Sequence, residues 1–329
     1  MGQTIDQMEK WVATATADSY SGLFYAILRR FEKGETAMII NFGSINADLV
    51  YQVPHMPRPG ETLLALDHAK HLGGKGLNQS VAVARAGGYL RHVGCVGKGD
   101  SWINAQISAA GIDKTHILET DTPTGHAIIY VDPDAENEIV IFSGANQCLT
   151  MDMVRAALDG LNGADHWVLF QNETNLTADI ARYAKDRGFR IAYSAAPFSP
   201  ELAADLLPLT DLLVVNETEA AELADTCGGT VDDIKVPMLL VTLGAKGCWL
   251  RSDNGTLHQD AFAVQAVDTT GAGDTFLGSF LAQFDTHSNA AQALRYAAAA
   301  SALQVTKHGA ANAIPPYQDV IDFLKEHAQ

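Results

Sequence analysis

Asp268-Thr269-Thr270-Gly271-Ala272-Gly273-Asp274-Thr275-Phe276 is the stretch on which the reading of this 329-residue chain turns. Two glycines flank an alanine, an acid follows, and the pairs Phe276/Phe280 and Leu277/Leu281 then recur at helical spacing. Asp274 therefore stands where a helix starts, behind a turn that glycines allow to bend sharply. A helix start presents unpaired N–H groups and the positive end of the dipole, so it can hold an anion. An acid beside such a site is an odd neighbour for a phosphate unless it handles a proton. The physical reading is phosphoryl transfer, with backbone amides neutralising developing charge while Asp274 accepts a proton from an attacking hydroxyl. The competing reading is a glycine-rich loop capped by aspartate, a common N-cap residue. Asp268 and Thr270 upstream make the pattern far more specific than Gly-x-Gly-Asp alone.

Composition bounds what that stretch can serve. An apolar content of 47% over this length suits a globular enzyme with a large core, as one α/β domain with an appendage or as two smaller domains. The net charge of −17 argues against nucleic acid or an anionic membrane surface as the main partner. It also means that phosphates must meet local amides, a lysine and a divalent cation, because the global field repels them. No run of about 18 apolar residues is present, so no membrane span is expected. Cys95, Cys148, Cys227 and Cys248 are widely spaced and form no zinc-type cluster, which fits free thiols in a reducing cytosol. Met1-Gly2-Gln3 opens neither a signal peptide nor a myristoylation pattern, and a cytoplasmic location is expected.

Along the chain, residues 1–36 read as an extension with a helix-compatible stretch from Tyr20 to Arg30, in which Leu23, Ile27 and Phe31 recur at helical spacing. Its purpose stays open between a docking helix and a dimer element. The core, residues 37–329, opens at Ala37–Phe42, a short apolar run that reads as a buried parallel-type strand. Asn46 and Asp48 follow, two apart on an extended segment and so facing one way. They suit neighbouring hydroxyls of a sugar, and an Asx turn is an equal alternative. Strand-like segments at Leu49–Val53, Glu61–Leu72, Gly125–Val131 and Glu138–Phe142 suggest a small appended sheet, with segments near 47–72 and 124–143, able to cover a site and expel water. Gly73-Gly74-Lys75-Gly76 opens a helix running to Gly87-Gly88, with Lys75 and Asn78 on one face near its start. The Walker A spacing is absent. Gly94 to Gly99 reads as an ordinary strand exit, not a dinucleotide fingerprint.

From Asp165 onward, apolar strands alternate with helices, which predicts a mostly parallel, doubly wound sheet covered on both faces. Glu173, Asn216, Glu219, Thr242 and Gly244 all fall at strand ends, as a site along the carboxyl edge requires. Asn216 and Glu219 also read as ordinary caps of a helix. The connection from Leu223 to Pro237 is short, and its Gly228-Gly229 does not suggest a helix.

Two of these stretches carry a resemblance. Asp268–Phe276 and Gly73-Gly74-Lys75-Gly76-Leu77-Asn78-Gln79 are similar to the two signatures of the ribokinase-like (phosphofructokinase-B) family of sugar and nucleoside kinases, in the family's order. The likeness runs from about Met38 to about Leu324. It implies the ribokinase-like fold with a small lid sheet that pairs with another subunit's lid in a homodimer. The implied activity uses ATP and Mg²⁺ to phosphorylate a small sugar, D-ribose at O5, in which Asn46, Asp48, Gly74, Lys75, Asn78 and Glu173 bind the hydroxyls. Ala127 and Ile129 would add apolar contacts. Asp274 would be the general base, and the amides of Gly271, Ala272 and Gly273 the anion hole. Asn216, Thr242, Gly244, Gly247 and Gly273 would meet the nucleotide, and Glu219 would hold Mg²⁺ through water. Asp268, Thr270, Gln304, Lys307 and Gly309 would enclose K⁺, mostly through backbone carbonyls. Two departures accompany the match: Ala313 stands where family members often have serine, and Ala298 where a histidine lies near the adenine. Another sugar or a nucleoside as acceptor, or a non-catalytic sugar-binding regulator, are the alternatives.

Overall fold

The structure, a computed structural model, describes residues 37–134 and 136–327. The helix-compatible stretch within residues 1–36 lies outside the described residues. Residues 37–329 cluster as one unit.

The chain runs β1 (Ile39–Phe42), β2 (Asn46–Gln52), β3 (Asp67–Gly73), α1 (Lys75–Arg85), β4 (Leu90–Gly97), α2 (Ser101–Ala109) and β5 (Ile117–Thr120). Then come β6 (Gly125–Val131), β7 (Asn137–Phe142), α3 (Met151–Leu158), β8 (Trp167–Phe170), α4 (Thr177–Lys185), β9 (Arg190–Ser194), α5 (Pro200–Leu206) and β10 (Leu212–Asn216). The remainder is α6 (Glu217–Thr226), β11 (Met238–Thr242), β12 (Cys248–Ser252), β13 (Gly255–Gln259), α7 (Ala272–His287), α8 (Ala290–Gln304) and α9 (Tyr317–Glu326).

Nine strands form the main sheet in the order β13-β12-β11-β10-β9-β8-β1-β4-β5, parallel except for the β12–β13 hairpin at one edge. β1 pairs in parallel with β4 on one side and β8 on the other. Both faces of the sheet are buried, which is why its strands read as continuous apolar runs. Ile40 and Val168 pack with Val154, Ile180 and Leu223 from α3, α4 and α6. Their neighbours Ile39 and Leu169 point the other way, among Phe280, Leu294 and Val320 from α7, α8 and α9. The β1 position, where connections leave toward opposite edges, is the switch point at which open α/β sheets bind ligands.

A second sheet, β3-β2-β6-β7, stands beyond the carboxyl end of β1. Register places Asp48 opposite His71 and beside Ala127, so Asn46, Asp48, Ala127 and Ile129 share one face. Of the expected strand Glu61–Leu72 only the second half forms. β2 ends at Gln52, whose last ladder partner is Asp67, so residues before Asp67 have no strand to pair with. Ile45, Leu77, Val81 and Ile103 pack where this sheet joins the main body.

Candidate active site

Two glycine-rich helix starts meet at the switch point, and their amides have different fates. At α1 the first turn is closed. Lys75 N donates to Glu173 Oε2 at 2.9 Å, Gly76 N to Ser44 Oγ at 3.1 Å and Leu77 N to Ser44 O at 2.9 Å. Ser44 Oγ also donates to Glu173 Oε2. Glu173 thus supplies the negative charge that this helix start favours through Oε2, and Oε1 has no hydrogen bond among the described residues. The close fit depends on absent side chains: a Cβ on Gly43 would lie 2.6 Å from Gly76 Cα, and one on Gly73 would overlap the Asp48 carboxylate.

The sugar-side residues expected from sequence do converge. Asn46 is buried and takes Asn146 Nδ2 on its Oδ1 at 2.7 Å, which leaves its own amide donors free. Asp48 has its pKa raised to about 7 by burial first, then by the neighbouring charges of Glu173 and Asp274, with Lys75 opposing. Glu173 is likewise pushed up by burial, against the hydrogen bonds from Ser44 and Lys75. The buried Asn78 Oδ1 has no partner among the described residues, so an acceptor waits beside these carboxylates. Polyhydroxyl ligands are what three carboxyl groups, two amides and one lysine in a small space can satisfy.

Asp274 is the third residue of α7 and does not cap it; the cap position is Gly271, at φ 75°, a conformation that favours glycine. The capping alternative is thereby removed. Its carboxylate is 9% exposed and is held by two neutral donors, Asn78 Nδ2 to Oδ2 at 3.1 Å and Gln79 Nε2 to Oδ1 at 2.9 Å. Among the described residues no cationic side chain pairs with it directly. Burial raises its pKa, while Lys75 and the two amide donors pull it down. Behind it lies a buried polar chain that the sequence reading missed. Gln171 Nε2 donates to Gln79 Oε1 at 2.6 Å and to Asn41 Oδ1 at 3.0 Å. Asn41 Nδ2 donates to Ser80 Oγ at 2.9 Å, which meets His92 Nδ1 at 2.7 Å. Burial holds the His92 ring neutral, with its pKa lowered to about 4. Gln79, the residue after Asn78, was the one available signal; Asn41, Gln171 and His92 sit in strands or at their ends, where spacing says nothing about partners.

At α7 the helix start is open. The amides of Gly271, Gly273 and Asp274 make no hydrogen bond among the described residues. Ala272 N, expected in the anion hole, instead donates to Thr269 O at 3.2 Å, because the turn closes on itself there. Asp274 N takes its place in the open set. Space in front of Gly273 is free: a Cβ there would meet nothing within 4 Å. Of these three residues Gly273 lines a cleft of about 530 Å³, together with Thr242, Gly244, Gly247, Phe276 and Ala298 among others. Small apolar walls ending at open amides suit a nucleotide, base at one end and phosphates at the other.

Asn216 and Glu219 form a capping box at α6: Asn216 Oδ1 accepts from Glu219 N at 2.9 Å and Glu219 Oε2 from Asn216 N at 2.8 Å. The cap reading of these residues is therefore satisfied, and Asn216 is not among the residues lining the cleft. Glu219 keeps Oε1 free, which fits Mg²⁺ held by waters and phosphate oxygens. Among the described residues no three or more His, Cys, Asp or Glu side chains gather as a metal site.

The set expected to enclose K⁺ does not fit a cation. Gln304 Nε2 donates to Thr270 O at 2.6 Å and to Gly309 O at 3.2 Å, so a positive N–H pair already covers two of the expected carbonyl ligands. The Gln304 carbonyl receives Lys307 N at 3.1 Å. Asp268 accepts from Thr270 N and Gly309 N, both at 2.9 Å; burial opposes its charge, but these bonds hold its pKa below the usual carboxylate value.

A doubly wound sheet with a small second sheet, and an open helix start beside a buried carboxylate, define the class: an α/β phosphotransferase acting on an alcohol group. The model of the pfkB family carbohydrate kinases matches residues 36–316. The chain is 38% identical over 302 residues to the ribokinase of Haemophilus influenzae, covering 87% of this chain and 97% of that protein. It is similar to the crystal structure of ribokinase from Thermotoga maritima, at TM-score 0.77 and 33% identity over 88% of this chain and 99% of that one. Arabidopsis thaliana ribokinase complexed with ribose and ATP aligns at TM-score 0.76 and 28% identity, over 88% of this chain and 99% of that one. The chain belongs to the pfkB family of carbohydrate kinases.

Proposed function

We propose that this protein transfers the γ-phosphoryl group of ATP to O5 of D-ribose. The observation that carries the reading is Asp274: a buried carboxylate fixed by two neutral amides, next to a helix start whose amides are open. A carboxylate paired with arginine or lysine would be a structural ion pair. One held by amide donors keeps its basicity and its aim.

Asn46, Asp48, Asn78 and Glu173 hold the sugar hydroxyls, with Ala127 and Ile129 against the ring. Lys75 offsets the carboxylate charge, and Gly74 lets the backbone approach. Asp274 takes the proton from the attacking hydroxyl. The amides of Gly271, Gly273 and Asp274 stabilise the charge that builds on the transferring group. Thr242, Gly244 and Gly247 border the nucleotide, and Glu219 would help to hold Mg²⁺, which would neutralise phosphate charge when bound. The second sheet serves as a lid that excludes water and joins a second copy in a homodimer.

A nucleoside acceptor is disfavoured by the position of Tyr51, an aromatic of β2 that could have cradled a base. Its ring lies with His68 and Tyr130, on the face opposite Asn46 and Asp48. Coupled ADP detection across pentoses, hexoses and nucleosides tests the proposal, with ribose expected to give the highest kcat/KM. Asp274→Asn should lose roughly 10²–10⁴-fold in kcat while calorimetry still shows ribose binding. Near-normal turnover by that variant would falsify the base assignment. Preference for another acceptor ends the ribose reading, and binding without ADP release points to a regulator.

A further inference from the structure

The loop that presents the open amides is tied from behind by one side chain. Gln304, the last residue of α8, is completely buried, and its Nε2 bridges Thr270 O and Gly309 O. An amide NH₂ has two N–H donors and no acceptor, so it can satisfy both carbonyls at once. With no ion between them, Oε1 in that place would face two carbonyl oxygens at 2.6 and 3.2 Å, so the N–H orientation is the one the chain can satisfy by itself; it leaves Oε1 buried without a partner among the described residues. Two carbonyls from separate segments, turned toward one point, need a positive partner to stay together. Here the partner is part of the chain.

Two further features agree. Asp268 spends both oxygens on the backbone amides of the same two residues, Thr270 and Gly309. Its charge helps to tie these segments. Ala313 is buried and brings a methyl group where a hydroxyl would be wanted as a cation ligand. Ala313 removes a ligand that a cation would use, and Gln304 supplies what the absence of a cation would require.

We propose that the Gln304 amide replaces a monovalent cation in this protein, so that the loop leading to the Gly271 cap is held in place without potassium. Thr270 is the residue immediately before that cap, and its carbonyl is the anchored atom. The anchor sets the amides that face the transferring phosphate. It touches none of the residues assigned to the sugar, so its loss should fall on kcat and not on the KM for sugar. The kinetic part rests on the kinase reading above; the thermal part does not.

The test compares KCl with N-methylglucamine chloride at matched ionic strength, on the wild type, Gln304→Ala and Gln304→Glu. Wild-type kcat should change by less than about twofold between the salts, and its Tm should not move. Gln304→Ala should lose about tenfold in kcat in N-methylglucamine, the cost of one tether, and regain it in potassium. Gln304→Glu has the same shape but turns oxygens toward the two carbonyls, so its Tm should rise with potassium. Wild-type kcat or Tm that climbs with potassium overturns the proposal. So do folded variants that stay indifferent to it, and if a variant does not fold the wild-type arms decide. If no sugar is phosphorylated at all, the kinase reading fails, and the Tm comparison still settles the cation question.

Discussion

Three acidic side chains, Asp48, Glu173 and Asp274, gather around Lys75, and the local cost falls most visibly on Asp48. Burial and its two acidic neighbours lift its pKa from 3.8 to about 7, with Lys75 pulling the other way. A carboxyl whose folded pKa is raised stabilises the fold fully only below its unfolded value, and that contribution is lost as pH rises through the folded one. Sugar-free protein therefore becomes less stable on this account between pH 3.8 and about 7. Asp48→Asn removes the charge, so the variant should gain more Tm over wild type near about pH 8 than near about pH 5. His92 acts with the opposite sign, since its folded pKa is lowered, but it is common to both proteins and cancels in the difference. The same substitution should raise the KM for sugar, because an acceptor for hydroxyl donors is lost. Thermal melts across pH with a KM measurement check both parts; a Tm difference independent of pH contradicts the linkage. Strain of this kind is retained where binding, not stability, is served.

At the scale of elements, the site depends on how closely α1 and α7 cross. Gly278 makes that possible: a Cβ there would overlap Gln79 O and sit 2.6 Å from Ala82 Cβ. With no side chain between them, the helices bring Asn78 and Gln79 within 3.1 and 2.9 Å of Asp274. Gly278→Ala should push them apart and cost ~1–3 kcal/mol as overpacking, seen as a lower Tm. The donors would recede from Asp274 and leave burial to raise its pKa further. A base works only when unprotonated, so the acid limb of the kcat profile should move to higher pH. A Tm loss with an unmoved limb would show that the helix spacing does not tune the base. The contrast between the two helix starts also belongs here. α1 is neutralised internally by Glu173 and Ser44, whereas α7 keeps its amides for a ligand.

At the largest scale, the second sheet has β7 as an edge strand with no further strand beside it among the described residues, and apolar residues on both faces, Ile139 52% and Val140 61% exposed. An edge strand of this kind invites pairing with another sheet, and a chain of net charge −17 would need such a patch to overcome self-repulsion. Ile139→Lys with Val140→Lys, one on each face, should convert a dimer to a monomer in light scattering; a wild type that already runs as a monomer ends the lid-dimer proposal. At this scale the doubly wound sheet was readable from the residues alone. Apolar runs such as Trp167–Phe170 and Leu212–Val215 must be buried on both faces, and that need is written in local pattern. That Asp274, Lys75 and Glu173 come together was readable too, because glycine-rich turns and strand ends gather at the carboxyl edge of such a sheet. Gln79, Gln171, Asn41 and Ser44 were not, nor was the Gln304 side chain, since each acts through a partner 34 to 195 residues away. Periodicity and turn chemistry are properties of neighbouring residues and survive in the linear chain. Which buried amide donates to which oxygen is decided only when helices and strands pack, because burial makes every polar atom seek a partner and packing chooses among those within reach.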